Sequence, residues 1–530
     1  MSRIIPLFLF AFTCGMSFAQ NLKSGGVLRP EQALMDIRHY KIVLEVDPEK
    51  QSIDGFTEIS LITSKPTDVL LFDLVDLLPV RNVWVNKSKQ SFTHADNLVR
   101  INLSKLLPAG KAVVKIEYGG KPGIAERPPW IGGFTWTTDK AGNPWMAITC
   151  QSEGATIYYP NKDHPSDEPN EGAELIITVP KGLYAAGPGL LVKITHSGNQ
   201  STYHWKTNYT INNYSIVFNV GKYKVATRTY TTISNNKVPL QAYLLEENFH
   251  QADALLDIFE RSARVLEKYF GEYPWVKEKM AICETPHLGM EHQTLNAYGN
   301  KFNYTSVGGK NFDWLLHHEF GHEWWGNKVT GIDWADMWIQ EGICSFGDHL
   351  YTREYEGEEA YLKRMQQTAR NTQNRIPVVQ GNNLDTDIVY HSDIYGKGAF
   401  FMHTLRYVIG DEVFFPTLKL LATAPEYTYD NMVSTDDVEK LFSRASGKNL
   451  KPLFDFYLRT TNKLDVQMKD LGNQNYQLRL LNYSGELPAE IRTDEGTVRM
   501  MLSDKPVIVK NSQYPSVDPD GYYLKRLILE

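Results

Sequence analysis

The sequence predicts a multidomain α+β protein: an N-terminal all-β domain, a mainly helical middle domain and a small C-terminal β domain. Three observations predict it. The 530 residues are too many for one hydrophobic core, because domains commonly run to about 100–200 residues. Apolar and polar residues alternate over residues 40–223 and again over residues 463–530. Between them apolar residues recur at helical spacing, first over residues 248–270 and then, with an extended interruption at 279–298, to residue 458. The expected division is a leader at 1–19, then domains at 20–226, 227–460 and 461–530.

The leader has Arg3, an apolar run over residues 4–14 and the small-residue end Ser17-Phe18-Ala19, the pattern of a secretory signal peptide cleaved after Ala19. A secreted or periplasmic protein is expected. The run is too short for the ~20 residues that span a bilayer, and no later segment qualifies, so no transmembrane segment is expected. A net charge of -7 and a pI near 6.1 give no electrostatic attraction to nucleic acid or an anionic membrane. Cleavage would leave Cys150, Cys283 and Cys344, too few for a disulfide framework and better read as small buried hydrophobes.

In the first β domain Tyr40, Ile42, Leu44 and Val46 alternate with Lys41 and Glu45; Asp47-Pro48-Glu49-Lys50 makes a turn, and Phe56, Ile59 and Leu61 mark the next strand. Further short strands are expected at 80–85, 112–118, 174–179 and 202–218, separated by Gly, Pro and Asn. The first long helix, within 248–270, gathers Ala254, Leu255, Ile258, Phe259, Ala263 and Leu266 on one side. In the tail, Tyr476-Gln477-Leu478-Arg479-Leu480 alternates, with turns at Tyr483-Ser484-Gly485 and Asp518-Pro519-Asp520-Gly521.

The segment His318-Glu319-Phe320-Gly321-His322 lies in a helix-compatible run that Asn311 or Asp313 would cap and Gly326 would stop. Positions i and i+4 share a helix face, so the two imidazoles converge with Glu319 beside them. A catalytic zinc takes three protein ligands and keeps one position open. Glu341, 19 residues after His322 on a second helical run over 335–351, can return to the metal after a turn around 329–334. Two histidines that merely satisfy hydrogen bonds on a core helix are the alternative. His317 is off the shared face and reads as structural. Cys344, one turn after Glu341, could approach a metal, but the three-ligand set is complete without it.

These residues resemble the aminopeptidase N family of zinc metallopeptidases, the gluzincin group that includes leukotriene hydrolase. The similarity runs from His318 through Trp325-Gly326-Asn327 and Val329-Thr330 to Asp336-Met337-Trp338-Ile339-Gln340-Glu341-Gly342. It implies a thermolysin-like catalytic domain, one zinc ion per chain on His318, His322 and Glu341, and Glu319 as the base that activates water. Leu288-Gly289-Met290-Glu291-His292 is similar to the family's Gly-x-Met-Glu-Asn motif, departing from it at Leu288 and His292. The resemblance implies that Glu291, with Gly289 and Met290 beside it, binds the free α-amine of a substrate. Tyr395-Gly396-Lys397-Gly398 is similar to the family's Tyr-x-Lys-Gly and implies that Tyr395 stabilises an oxyanion. Tyr390 is either a second pocket tyrosine or a core residue. Thr149-Cys150-Gln151, with Tyr159-Pro160 and Asp167-Glu168-Pro169 beyond, is similar to the N-domain segment that reaches the active site, implying that Gln151 helps hold the substrate's N-terminal end. A plain surface glutamine is the other reading.

The resemblance covers most of residues 30–460. Relatives commonly carry a helical C-terminal domain over the cleft, whereas the strand-like tail here is short, so a more open cleft is expected unless a homo-oligomeric partner roofs it. The expected activity is removal of the first residue from peptides with a free N-terminus. An endopeptidase using the same triad, or a catalytically silent binding protein on this scaffold, are the rivals.

Overall fold

The computed structural model describes residues 22–530; the leader expected at 1–19 lies outside the described residues. The first part is β. Its main sheet has eight strands in the order Leu190–Ser197, Gln200–Thr207, Ala173–Pro180, Met35–Asp47, Ser52–Thr63, Gly110–Gly120, Val80–Val85 and Ser88–Lys89. Met35–Asp47 pairs parallel with Ala173–Pro180 and antiparallel with Ser52–Thr63. The turn expected at Asp47-Pro48-Glu49-Lys50 closes that second pair, with the Lys50 amide donating to the Asp47 carboxylate at 3.0 Å. Tyr40, Ile42, Leu44 and Val46 are all buried. Burying each such side chain stabilises by about 1.5–3 kcal/mol, and a one-residue slip would turn all four to water, which fixes the register.

A second sheet is ordered Tyr184–Ala186, Asn219–Gly221, Pro144–Thr149 and Gly133–Thr138. Its strand Pro144–Thr149 ends two residues before Gln151 and points that residue toward the helical region.

The change of character expected after residue 227 is delayed. Tyr223–Thr231 and Lys237–Leu245 form a hairpin that joins Met280–Glu284, Asn296–Tyr298 and Gly289–Met290 in a five-stranded mixed sheet, so the 226/227 division falls inside a strand. Helix α1 (Ala252–Phe270) packs on this sheet. Leu255, Ile258, Phe259, Ala263 and Leu266 are buried along one side, as their spacing predicts, and Ala254 sits at the edge, half-buried.

The remaining elements that build the site are α2 (Trp314–Gly321), α3 (Trp338–Glu356), α4 (Glu358–Asn371), α5 (Thr386–Val389) and α6 (Asp393–Ile409). Helices α3 and α6 cross at two glycines: a methyl on Gly342 would lie 2.8 Å from the Gly398 Cα, and one on Gly398 would lie 2.8 Å from the Gly342 Cα. Three more helices, Asp411–Thr423, Thr435–Ser446 and Lys451–Leu458, complete the helical region.

The tail forms a four-stranded and a three-stranded sheet, the strand-rich unit its alternation predicts. It packs on the outer side of α4 and α6. The Tyr407 and Tyr522 rings stack at 3.8 Å, the Thr404 hydroxyl donates to the Tyr522 carbonyl at 2.7 Å, and the Gln366 amide donates to the Asp520 carbonyl at 2.8 Å.

A candidate metal centre beside a buried carboxylate

Asp313 is the residue that caps α2, its carboxylate accepting from the Leu316 amide at 3.2 Å. The helix closes at Gly321, earlier than the Gly326 stop that the sequence suggests, and the chain continues through turns to a Gly326 at φ 118°. That early ending serves the site. The carbonyl of Trp325 turns back to accept from His322 Nδ1 at 2.8 Å. His318 Nδ1 donates to Asp348 of α3 at 3.0 Å. With both Nδ1 protons so engaged, each ring presents the lone pair of Nε2 to the same point.

The two Nε2 atoms lie 3.3 Å apart, and Glu341 Oε2 lies 3.3 Å from His322 Nε2 and 3.6 Å from His318 Nε2. Three ligands of a tetrahedral zinc with bonds of ~2.0–2.1 Å are separated by ~3.3 Å, so the triangle has the edge lengths such an ion needs. Glu341 Oε2 is buried and accepts no hydrogen bond of ordinary geometry, as expected of an atom that faces a cation. Burial alone would raise the Glu341 carboxyl, but His322 and His318 hold it down to about 2, so it is ionised. Cys344 also enters this cluster: its Sγ and the two histidines offer atoms within 4.8 Å of one another. Its thiol donates to the His318 carbonyl at 3.0 Å, which gives it a role without a metal. The residues present fit a single zinc ion.

Glu319 is buried beside the pair. Burial first, then the charges of Glu291 and Glu341, push its carboxyl up to about 8, a range suited to taking up and returning a proton near neutrality. The need for glycine at position 289 is plain here, since a methyl would come within 2.7 Å of Glu319 Oε1. The edge strand Gly289–Met290 therefore runs directly over the base, with Met290 buried next to it.

Glu291, just past that strand, is 3% exposed and is held by two residues of the N-terminal β region. Gln151 Nε2 donates to its Oε1 at 2.5 Å, and the Tyr214 hydroxyl donates to the same oxygen at 2.8 Å. Asn327 Nδ2 fixes the backbone by donating to the Glu291 carbonyl at 2.8 Å, and its Oδ1 accepts from Asn212 at 3.0 Å. Burial raises the Glu291 carboxyl, and the nearby Glu341 charge raises it further. Three buried carboxylates in one place repel each other unless cations join them, and a metal ion and an ammonium would supply two. His292, where the family pattern has Asn, is fully buried and neutral, its imidazole pushed down to about 3 by desolvation. Leu288 is half-buried and its carbonyl accepts from the Gly299 amide at 2.6 Å.

Tyr395, on the first turn of α6, stands with its ring 6.1 Å from the His318 ring and its hydroxyl 2.5 Å from that of Tyr390. The Gly342–Gly398 contact is what brings it there, because it lets the helix that carries Glu341 and the helix that carries Tyr395 approach backbone to backbone. Lys397 points away and donates to the Thr460 carbonyl at 2.7 Å. His317 is buried between Phe312 and Tyr351.

The model of the peptidase family M1 domain matches residues 255–457. That match takes in the helices that carry His318, His322, Glu341 and Tyr395. Among curated relatives, Aminopeptidase M1-D of Oryza sativa subsp. japonica is 22% identical over 438 residues, covering 78% of the chain and 49% of the relative. Aminopeptidase 2, mitochondrial, of Saccharomyces cerevisiae is 22% identical over 351 residues, 62% of the chain and 36% of the relative. The chain thus spans about half the length of the curated relatives it matches, or less. Its fold is that of the M1 zinc metallopeptidase from Deinococcus radiodurans, with a TM-score of 0.68 at 21% identity, over 82% of this chain and 94% of the other.

Sequence reasoning missed three residues that hold this site together. Asp348 is seven residues, two helical turns, after Glu341, so helical spacing could have found it. Tyr214 sits in a loop of the N-terminal β region and carries no local signal. Asn327 was inside the recognised stretch, but its bridging role between Asn212 and Glu291 needs the docked fold.

Proposed function

We propose that this chain is a zinc-dependent aminopeptidase that hydrolyses the first peptide bond of peptides with a free N-terminus. One observation carries the reading: the three-ligand triangle lies next to a buried carboxylate, Glu291, whose Oε1 is gripped by Gln151 and Tyr214. A buried carboxylate at the end of a cleft pairs with an α-ammonium and so counts residues from the N-terminus.

When bound by His318, His322 and Glu341, zinc supplies Lewis acidity toward the scissile carbonyl and toward water. Glu319 takes the water's proton and delivers it to the leaving amine. Tyr395 donates a hydrogen bond to the carbonyl oxygen as negative charge develops there. Glu291, with Gly289 and Met290 along the adjacent strand, fixes the N-terminal end, and Gln151 orients Glu291. A Deinococcus radiodurans relative of this fold has been crystallised with a Tyr-Ser-Ala substrate, a peptide of the class proposed here.

Among the described residues no helix is long and apolar enough to cross a membrane. Secretion or periplasmic export through the segment at 1–19 is part of the proposal, as is a division of the chain near residues 222 and 460, moved upstream from 226 to keep the hairpin whole. Roofing of the cleft by a second copy in a homo-oligomer would show as a multiple of the chain mass in solution.

The test compares a free peptide with its N-acetylated form on the zinc-loaded protein. An aminopeptidase cleaves the first and spares the second. Equal cleavage would make the chain an endopeptidase, and cleavage of neither, with zinc bound, a silent binding protein.

A further inference from the structure

A cavity of about 1720 Å³ opens beside Tyr390 and Tyr395 and is walled on its other side by the N-terminal β region. Much of its lining is apolar, including Leu22, Ile124, Trp130 and Ile131. Its charged lining is lopsided. Among the described residues that line it, Glu126, Glu153 and Asp387 outnumber Arg127, which stays at the exposed mouth with its guanidinium 5.9 Å from the centre of the exposed Trp130 ring.

Glu153 is the unusual member. It is buried, its Oε2 accepts no hydrogen bond of ordinary geometry, and among the described residues no lysine or arginine forms an ion pair with it. The carboxylate lies against Gly132, where a methyl group would come within 2.4 Å of Oε2, so glycine there leaves room for the carboxylate just behind the wall of the cavity that both residues line. The Gly132 amide gives it some support, while burial and the Asp387 charge push its carboxyl up to about 7. A desolvated carboxylate on a cavity wall gains most when a cation enters.

Its place along the chain matters as well. Glu153 follows Gln151 by two residues, and Gln151 holds Glu291, where the substrate's amine would pair. Two residues of chain span at most about 7 Å. Tyr395, which lines this cavity, also stands at the zinc ligands with its ring 6.1 Å from that of His318, so the cavity opens off the place where a first residue would be held. A flexible apolar stem with a cationic head matches an apolar wall that ends in a carboxylate.

We infer that this cavity receives the first side chain of the substrate and that Glu153, with Asp387 adding to its field, makes it select arginine or lysine. The inference rests on the aminopeptidase reading above and adds to it the class of the first residue.

The experiment uses the zinc-loaded full chain and fluorogenic aminoacyl amides of arginine, lysine, leucine and citrulline. Citrulline has the shape of arginine without its charge, so the pair isolates the electrostatic part. The expected kcat/KM for arginyl exceeds that for citrullinyl by about tenfold or more. Glu153→Gln and, independently, the exposed-site variant Asp387→Asn should each reduce that ratio. A purely structural Glu153 would instead lower both substrates together and leave the ratio intact. Equal rates for arginine and citrulline, or an unchanged ratio in both variants, overturn the inference alone, since leucyl and other amides would still be cleaved. Failure to cleave any of the four amides overturns the aminopeptidase reading and takes this inference with it.

Discussion

Gly342 and Gly398 touch across α3 and α6, each leaving only 2.8 Å between the Cα of one and a methyl on the other. Adding that methyl forces the helices apart. Gly342→Ala or Gly398→Ala should cost about 1–3 kcal/mol of stability, as overpacking does, and should lower kcat by moving Tyr395 from Glu341. Gly396→Ala, whose methyl would meet nothing closer than 3.9 Å, is the control and should be neutral or slightly stabilising. Urea denaturation with steady-state kinetics on the three variants checks this; equal effects at all three positions would mean that the crossing does not set the place of Tyr395.

Asp348 accepts the Nδ1 proton of His318 and so orients a ligand without touching the metal. Asp348→Ala should weaken zinc binding roughly 10–100-fold. Glu319→Gln should retain zinc and lose nearly all turnover. Competition with a chelator, read beside activity, separates the two effects, and unaltered zinc affinity in Asp348→Ala would assign the orienting work elsewhere.

Tyr214 donates to the buried oxygen of Glu291 that Gln151 also holds. A hydrogen bond to a charged group contributes about 1.5–3 kcal/mol, so Tyr214→Phe should lower kcat/KM for free-amine substrates by about 10–100-fold. Zinc content should not change. If Tyr214→Phe cleaves such substrates like the parent, Glu291 does not depend on the N-terminal β region for its grip.

Glu319 shares its space with Gly289. Gly289→Ala places a methyl 2.7 Å from Glu319 Oε1, which should displace the base and cut kcat by at least tenfold while leaving zinc bound. Metal analysis and kcat on one preparation provide the check.

Stability should fall on both sides of a mildly acidic maximum. Burial, then the Asp73 charge, push Asp163 up to about 8, against ~3.9 when unfolded, so the folded state holds the extra proton between those values. Its contribution is whole below about pH 4 and is lost as pH rises through about 8, at up to ~1.4 kcal/mol per unit. His287 works in the opposite direction. Burial pushes it down to about 3 from ~6.5, so its contribution is whole above about pH 6.5 and falls as pH drops toward 3. The unfolding temperature should be higher near about pH 6 than near about pH 9, and Asp163→Asn should shrink that difference. A difference that stays the same in Asp163→Asn would locate the alkaline loss in other groups.

The parts of the site readable in the sequence are those fixed by helical spacing. His318 and His322 are one turn apart, and Glu341 begins the next long helix, so local geometry alone aims them. The hairpin at residues 223–245 was less legible, because it pairs with a strand 40 residues later and its polar turn interrupts the alternation. Tyr214 was illegible for the same reason at larger scale: it meets Glu291 from 77 residues away, through the docking of one unit on another. Cys344 shows the reverse limit. Spacing put it near the metal, and only the fold shows its thiol committed to a backbone carbonyl.

Glu291, the carboxylate proposed to read a substrate's end, lies on the helical side of the seam, and its two hydrogen-bond donors lie on the β side. A small molecule wedged into that seam would loosen the hold on Glu291 while leaving the zinc ligands alone. Such a compound would inhibit without chelating, and its potency would not extend to metallopeptidases that share only the histidine–glutamate triad.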